Sequence, residues 1–256
     1  MMSNLIKSKL FIKSIILRDD IKPQEFEVFP LNINALRFFD SLRFTTPVTI
    51  FNGENGCGKS TLIEAIASNL GIPIMGGNKH LCGILDNYDH GEESNSELAQ
   101  YLRCERGITK PFRTFFFRAE SFYKLADILS HDRWIEIHHY ANKDLLKQSH
   151  GESFMDFMYH QLAENSLYIL DEPEAALAPQ NQLKLMALID EYAKKGSQFI
   201  ISTHSPFLLE YRDARIINLD DGMNEISFKQ TKIYNLYRRF LDDPEEYQNM
   251  LFDEEY

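Results

Sequence analysis

Eight consecutive residues combine three glycines, a lysine and a serine at the spacing of a phosphate-binding loop. The run Gly53-Glu54-Asn55-Gly56-Cys57-Gly58-Lys59-Ser60 fits the pattern G-x-x-x-x-G-K-[ST] at every fixed position. In such a loop, backbone N–H groups surround phosphates, the lysine reaches the β- and γ-phosphates, and the serine hydroxyl binds Mg²⁺. We therefore predict that residues 53–60 bind a nucleotide, together with the flanking Asn52 and Thr61.

This loop needs a strand before it and a helix after it, and both flanking segments suit these roles. Val48-Thr49-Ile50-Phe51 is a β-branched and aromatic run, typical of a buried strand. Residues 61–67 place Leu62, Ile63 and Ile66 on one face of a helix. The N-terminus of that helix would direct free amides and the positive end of its dipole at a bound anion.

A second apolar run ends in two adjacent carboxylates. Leu167-Tyr168-Ile169-Leu170 has the composition of a buried strand, and Asp171, Glu172 and Pro173 follow it. Side chains alternate along a strand, so the two carboxylates are expected to point in different directions. One can hold Mg²⁺, and the other can face an attacking water as a base. We expect this strand to lie next to the strand of the phosphate loop.

Two other predicted strands also end in polar residues. Residues 114–117 lead to Arg118 and Glu120, and residues 198–203 lead to His204. Ligands of open α/β sheets lie at the carboxyl ends of the strands, so these side chains are expected at the edge that carries the phosphate loop. A Ser and a Gly, Ser149 and Gly151, precede a further amphipathic helix and form a second potential anion site.

The remaining segments complete a predicted α/β domain. The predictions are strands at residues 10–17 and 26–29, helices at 96–104, 121–129 and 181–194, and a hairpin over 215–228. We interpret the chain as one domain, with a β subdomain and the loop strand at residues 10–51 and a helical insert at 76–150. Residues 151–230 form the half with the acidic strand end and His204, and residues 231–256 form an acidic helical tail.

Composition limits the classes of function. The 256 residues are 44% hydrophobic, and 27 basic against 38 acidic residues give a net charge of −11, which disfavours general nucleic-acid binding. Three cysteines are too few for a disulfide framework and suit a reducing compartment. No apolar run is long enough to span a bilayer, and no cleavage signature follows the N-terminus. We predict a cytoplasmic location without membrane insertion.

The order of these motifs resembles that of the ATP-binding cassette (ABC) ATPases. The similarity covers roughly residues 10–220 and is greatest to the stand-alone soluble branch, which includes RecF, SMC-type and OLD-family proteins and small predicted bacterial ATPases. Asp171 follows Ser149 by 22 positions and precedes His204 by 33, spacings similar to those of the family. The resemblance implies a P-loop NTPase fold: a mixed sheet with helices on both faces, an N-terminal antiparallel β subdomain and a helical insert.

The resemblance also implies a role for each site residue, with ATP and Mg²⁺ as ligands. Lys59 and Ser60 would bind the phosphates and Mg²⁺, and Asp171 would support the metal. Glu172 would polarise the attacking water, and His204 would contact the γ-phosphate. The implied catalytic residues are thus Lys59, Glu172 and His204, and the implied metal ligands are Ser60 and Asp171.

The resemblance further implies a homodimer with two composite sites. Ser149 and Gly151 of one subunit would bind the γ-phosphate held by a second subunit, so ATP would close a head-to-tail pair and hydrolysis would open it. The chain departs from the family here, because His150 and Glu152 replace a Gly and a Gln of its signature and Ala178 replaces its usual Asp. The family's Gln at the end of the inner strand is replaced by either Arg118 or Glu120, and both alternatives stay open.

The predicted function is ATP hydrolysis that drives a partner protein or a nucleic-acid transaction. The alternative is a nucleotide-sensing switch with slow turnover, as the regulatory subunit of a phage-defence or toxin-type system, and the altered signature favours it somewhat. A transporter ATPase subunit fits the soluble-branch motifs less well. A small-molecule kinase is disfavoured because the Asp-Glu pair and His204 indicate water as the acceptor.

Overall fold

Two β-sheets and the helices packed on them form the fold. A computed structural model of the protein describes residues 10–74, 76–77, 96–120, 122 and 150–253. The strands within these residues are β1 (Ile12–Leu17), β2 (Ser41–Arg43), β3 (Val48–Asn52), β4 (Leu102–Arg106), β5 (Thr114–Arg118), β6 (Leu167–Asp171), β7 (Gln198–Ser202), β8 (Ala214–Asn218) and β9 (Asn224–Ile226). The helices are α1 (Lys59–Asn69), α2 (His150–Gln161), α3 (Pro179–Lys194), α4 (Pro206–Leu209), α5 (Lys232–Asp242) and α6 (Pro244–Asp253).

The larger sheet carries the candidate site at one edge. Its six strands lie in the order β5-β6-β7-β3-β8-β9. The first five are parallel, and β9 pairs antiparallel with β8 in the predicted hairpin. Because parallel strands end at the same edge, the residues that follow β3, β6 and β7 converge there. The predicted mixed α/β sheet is confirmed.

The order of the strands corrects one expectation. β6 does not neighbour β3, since β7 pairs with both strands and lies between them. A run of apolar residues marks a strand as buried, but it does not say which strand lies beside it. The strand that ends before His204 therefore separates the phosphate loop from the acidic strand end.

Hydrophobic cores cover both faces of this sheet, and the alternation of strand side chains divides residues between them. On β5, Phe115 and Phe117 pack in the core that includes α2 and α3. Phe116 points to the opposite face and packs in the core that includes α1 and the N-terminal sheet. The helices on both faces agree with the prediction and explain why the parallel strands are apolar on both sides.

The N-terminal sheet is antiparallel, as predicted, but its strands differ from the expectation. The order is β2-β1-β4. The predicted strand at residues 26–29 is wrong: Pro23–Glu27 is a 3-10 helix, and Val28 and Phe29 are exposed rather than paired in a sheet. Among the described residues no strand pairs with this segment, so the alternating pattern alone did not produce a strand.

The third strand of that sheet comes from a segment predicted to be helical. Residues 96–104 form a 3-10 helix at Glu97–Gln100 and then enter β4. Pairing with β1 overrides the local helical preference, because β4 satisfies the free edge of β1 and buries Leu102. Within the predicted helical insert, the described residues 96–120 thus hold two strands, β4 and β5. The predicted helix at residues 121–129 and most of the insert lie outside the described residues.

A buried glutamine side chain is one of the links between the two sheets. Gln198, the first residue of β7, is buried. Its Oε1 accepts hydrogen bonds from the backbone N–H groups of Phe11 (2.8 Å) and Ile12 (3.0 Å), and its Nε2 donates to the carbonyl of Ile12 (3.0 Å). Among the described residues, the buried amide is satisfied by the start of β1, and this contact helps to position the small sheet against the large one.

The chain continues through two helices after the β8–β9 hairpin. Thr231 caps α5 by accepting a hydrogen bond from the backbone N–H of Tyr234. The helices α5 and α6 contact each other and expose several large apolar side chains, namely Leu236, Tyr237, Phe240, Leu241, Met250, Leu251 and Phe252. None of the helices within the described residues has the length and apolar content needed to cross a bilayer.

Candidate active site

The phosphate loop joins β3 to α1, as the sequence predicted. Gly56 and Gly58 have φ angles of 80° and 104°, which only glycine adopts readily, and Gly58 is the N-cap of α1. A Cβ atom at Gly58 would lie 2.6 Å from Cδ1 of Ile33, whereas a Cβ at Gly56 would meet no atom of the described residues within 4 Å. One side of the loop is therefore packed on the protein, and the other side is open.

The side chain of Lys59 folds back along the phosphate loop. This side chain is buried, and Nζ donates hydrogen bonds to the carbonyl oxygens of Gly53 (2.9 Å) and Glu54 (3.0 Å). These bonds use two of the three ammonium donors and place a positive charge beside the loop amides. Asn52, at the end of β3, is also buried, and its Oδ1 has no hydrogen-bond partner among the described residues.

Asp171 lies within hydrogen-bond reach of α1 although β7 separates their strands. Ser60 Oγ donates to Asp171 Oδ1 at 3.3 Å, and Ser202 Oγ donates to the same oxygen. Burial raises the pKa of the Asp171 carboxyl, and the hydrogen bond from Ser202 opposes this shift. The predicted pair of metal ligands, Ser60 and Asp171, is thus brought together. Sequence reasoning missed Ser202, although its place at the end of β7 pointed to this edge.

Ser60 and Asp171 offer only oxygen atoms, the ligands that Mg²⁺ prefers. Mg²⁺ is usually bound by one or two protein oxygens together with the phosphates of a substrate, rather than by an all-protein cage. Within the described residues there is no cluster of three or more His, Cys, Asp or Glu side chains placed to hold a metal ion. The donor set therefore fits magnesium that arrives with a nucleotide.

Glu172 faces His204, whereas Asp171 faces Ser60 and Ser202; Glu172 lies just after the end of β6, so the strand alternation expected from the sequence does not reach Glu172. Its φ and ψ are 46° and 51°, a left-handed conformation that costs a glutamate about 1 kcal/mol. Its backbone N–H donates to the carbonyl of Ser202 at 3.0 Å, and its side chain is 41% exposed. Its Oε1 lies 3.7 Å from Nε2 of His204, so the predicted base and the predicted γ-phosphate contact are neighbours.

His204 is held so that its ring is partly buried at the open edge. Burial lowers the pKa of His204, and the positive charge of Lys59 lowers it further. The ring is therefore neutral at pH 7. Its Nε2 is buried and has no hydrogen-bond partner among the described residues. The unused nitrogen of a neutral imidazole can donate one hydrogen bond to a ligand or accept one from it, depending on the tautomer.

Glu174 fixes the backbone beside His204, and the sequence analysis did not identify this role. Its Oε1 accepts a hydrogen bond from the backbone N–H of His204 at 2.5 Å, and Thr203 also bonds to the carboxylate. Its Oε2 is buried without a hydrogen-bond partner among the described residues. Burial raises the pKa of Glu174, because the charged form loses its hydration.

The Glu174→Gln variant is expected to gain stability relative to wild type as the pH rises. A carboxyl with a raised pKa in the folded state stabilises the protein below its unfolded pKa near 4.5 and loses that contribution as pH rises through the folded pKa. Gln keeps an acceptor for His204 and does not titrate. Urea unfolding between pH 4.5 and 8 measures the difference, with exposed Glu27→Gln as the control. A difference in unfolding free energy that does not change with pH would contradict the expectation.

The acidic turn after β8 holds the start of the phosphate loop, and sequence reasoning also missed this contact. Asp220 Oδ1 accepts a hydrogen bond from the backbone N–H of Glu54 at 2.6 Å. Lys232 Nζ, at the start of α5, lies 2.8 Å from Glu54 Oε2 and 3.6 Å from Asp220 Oδ2. Asp220 follows a parallel strand, so the strand-end rule pointed to it, whereas no local pattern pointed to Lys232.

The predicted second anion site is only partly described. Ser149 lies outside the described residues, and α2 begins at His150. Gly151 stands in the first turn of α2. A Cβ atom there would lie 3.2 Å from Nδ2 of Asn181 and 3.4 Å from the carbonyl oxygen of Ala176, so α2 begins close against the start of α3.

A cavity found among the described residues does not coincide with this chemistry. This cavity of about 610 Å³ lies beside Thr114 and Leu167, the first residues of β5 and β6. That is the opposite end of the sheet from the phosphate loop. Because a loop that surrounds phosphates is shallow and open, its backbone geometry and its converging charges identify the site better than an enclosed volume does.

Part of the chain matches a family of known proteins. Residues 147–209, which contain Gly151, Asp171, Glu172 and His204, match the model of a family described as "AAA ATPase domain". An uncharacterised ABC transporter ATP-binding protein of Haemophilus influenzae is 28% identical over 185 residues, which are 66% of this chain and 68% of the relative. The cytochrome c biogenesis ATP-binding export protein CcmA of Maricaulis maris is 26% identical over 215 residues, 78% of this chain and 94% of the relative.

Among solved structures, the SMC head domain from Thermotoga maritima aligns with a TM-score of 0.44 at 16% identity, over 85% of this chain and 100% of that one. The phosphate loop between β3 and α1, the acidic end of β6 and the match of residues 147–209 to an AAA ATPase family model make the chain similar to the ABC-type ATPases.

Proposed function

We propose that the protein binds ATP with Mg²⁺ on the loop at residues 53–60 and hydrolyses it with the help of Glu172. The observation that carries the proposal is the convergence of three pairs at one edge of the sheet. Lys59 lies on the loop carbonyls, Ser60 bonds to Asp171, and Glu172 lies 3.7 Å from His204. A phosphate loop alone would be compatible with binding only, whereas the added base favours hydrolysis.

Each residue contributes a distinct part. The loop amides and the Lys59 ammonium bind the phosphates, and Ser60 and Asp171 hold the metal, which supplies positive charge to the phosphate oxygens. The exposed carboxylate of Glu172 orients and polarises water. The neutral ring of His204 gives a hydrogen bond to the γ-phosphate without adding charge. Positioning and charge stabilisation account for most of this catalysis.

We also propose a head-to-tail homodimer in which Ser149 and Gly151 act on the γ-phosphate held by a second copy. The open side of the phosphate loop at Gly56 supports this arrangement, because the space beyond it is available to another chain. The negative charge of Glu152 in the first turn of α2 would oppose the approach to phosphate and slow the cycle. This charge favours the second candidate, a nucleotide-sensing switch with slow turnover.

A protein partner suits the chain better than nucleic acid. The net charge is −11, and α5 and α6 expose large apolar side chains. Lys232 lies 2.8 Å from Glu54, so the start of α5 is close to the phosphate loop. Residence in the cytoplasm, where ATP is abundant, stays a prediction.

Double-stranded DNA is therefore expected to change ATP turnover by less than about twofold at physiological salt, because an acidic chain gains little from phosphate contacts. Phosphate release by the purified protein, measured with Mg²⁺ and with EDTA, tests the basal activity, and added DNA tests the coupling. A protein that fails to bind ATP with Mg²⁺ overturns the proposed function. Robust stimulation by DNA contradicts the preference for a protein partner and also removes the slow switch.

A further inference from the structure

Among the described residues, the end of β5 places a guanidinium close to three carboxylates beside the candidate metal site. Arg118 is in register with Asp171 on the adjacent strand β6. Its NH1 lies 2.6 Å from Glu64 Oε1, its NH2 lies 2.9 Å from Glu120 Oε2, and its Nε lies 3.9 Å from Asp171 Oδ2. Glu120 is 80% exposed and contacts the site only through Arg118 in the recorded ion pairs. Of the two residues that the sequence left open, Arg118 is thus the one next to Asp171.

The two oxygens of Asp171 face different neighbours. Oδ1 accepts the hydrogen bonds of Ser60 and Ser202, and Oδ2 faces Arg118. Glu64 follows Ser60 by four residues on α1 and so lies on the same side of that helix. The guanidinium is 27% exposed and the Asp171 side chain 4% exposed, so solvent screens their interaction only in part. A fixed positive charge therefore stands close to the position in which a divalent cation would be held.

We propose that Arg118 sets the affinity of this site for magnesium by competing with the ion for Asp171. The inference deepens the proposed function and rests on Ser60 and Asp171 as the metal ligands. A cation beside the carboxylate weakens the binding of a second cation through like-charge repulsion. Without nucleotide, Arg118 keeps the acidic site neutralised and free of metal. With ATP, the phosphate charges outweigh the repulsion, so metal and nucleotide enter together. Glu64 and Glu120 form ion pairs with the guanidinium and so weaken its interaction with Asp171.

Removal of the charge is expected to strengthen metal binding. Mn²⁺, followed by electron paramagnetic resonance without nucleotide, is the probe of the metal site. Mg²⁺ titrations of a fluorescent ATP analogue report the half-saturating concentration. Arg118→Gln should lower this concentration about tenfold and bind Mn²⁺ without nucleotide, whereas Arg118→Lys should stay near wild type. Exposed Arg103→Gln on β4 is the matched control for the loss of a positive charge. An unchanged or raised Mg²⁺ requirement in Arg118→Gln overturns the inference.

Glu64→Gln tests the same inference through the opposite effect on the Mg²⁺ requirement. The inference stays testable with this variant even if Arg118→Gln fails to fold. Without Glu64, the guanidinium interacts more strongly with Asp171, so the half-saturating Mg²⁺ concentration should rise about threefold or more. No change, or a decrease, overturns the inference. The two levels of failure are distinguishable: wild-type protein that binds the ATP analogue independently of Mg²⁺ contradicts the proposed metal ligands. Wild-type protein that needs Mg²⁺, with variants that need the same amount, contradicts only the role of Arg118.

Discussion

Replacement of Glu172 by Gln is expected to lower ATP turnover by about 10²- to 10³-fold and to leave ATP affinity within about threefold of wild type. The carboxylate is exposed at the open edge and makes no contact with Lys59 or Ser60 in the recorded hydrogen bonds, so its loss removes the base but not the phosphate contacts. Gln is almost the same size and can keep the left-handed backbone at this position. Single-turnover phosphate release and equilibrium binding of an ATP analogue measure the two effects separately.

The same variant tests the proposed homodimer. If ATP closes a head-to-tail pair and hydrolysis opens it, Glu172→Gln should sediment as a dimer with ATP and Mg²⁺ and as a monomer with ADP. The exposed Glu210→Gln, at the end of α4, is the matched control and should hydrolyse ATP at the wild-type rate. Hydrolysis by Glu172→Gln at the wild-type rate would show that another group is the base. A monomer under all conditions would exclude the composite site with Ser149 and Gly151.

Replacement of Lys59 by Met is expected to weaken ATP binding about 100-fold, which corresponds to roughly 3 kcal/mol. The ammonium is buried beside the loop, where a charge-assisted hydrogen bond to phosphate is only partly screened by solvent. Met keeps the length and apolar stem of the side chain. Because the carbonyls of Gly53 and Glu54 lose their donor, we also expect a loss of about 1–3 kcal/mol in unfolding free energy.

The chain supplies a matched control for this substitution. Lys232 is also close to the loop, but its side chain is 64% exposed and its partner is the side chain of Glu54. An exposed ion pair contributes little, so Lys232→Met should change ATP affinity less than about threefold. Calorimetric titration with ATP and Mg²⁺ compares the two variants at matched protein stability. Equal losses in both variants would mean that net charge near the loop, rather than the Lys59 contact, governs binding.

The sequence by itself determined those parts of the site that depend on neighbouring residues in the chain. The glycines at 56 and 58 need positive φ, the apolar run before them needs a buried strand, and the helix starts at Lys59 because the loop ends there. The different neighbours of Asp171 and Glu172 were also expected from the sequence, but the left-handed backbone of Glu172 just after β6, rather than strand alternation, accompanies them. These are local constraints, so one stretch of sequence contains all the information they require.

Only the tertiary structure decided which distant segments meet. It placed β7 between β3 and β6, recruited β4 into the N-terminal sheet against its helical pattern, and set Arg118 rather than Glu120 beside Asp171. It also joined Lys232 to the phosphate loop. Pairing partners and ion pairs across the fold depend on which free edge or opposite charge is close in space. Local periodicity does not encode which segments come close in space. Packing of the whole domain decides it.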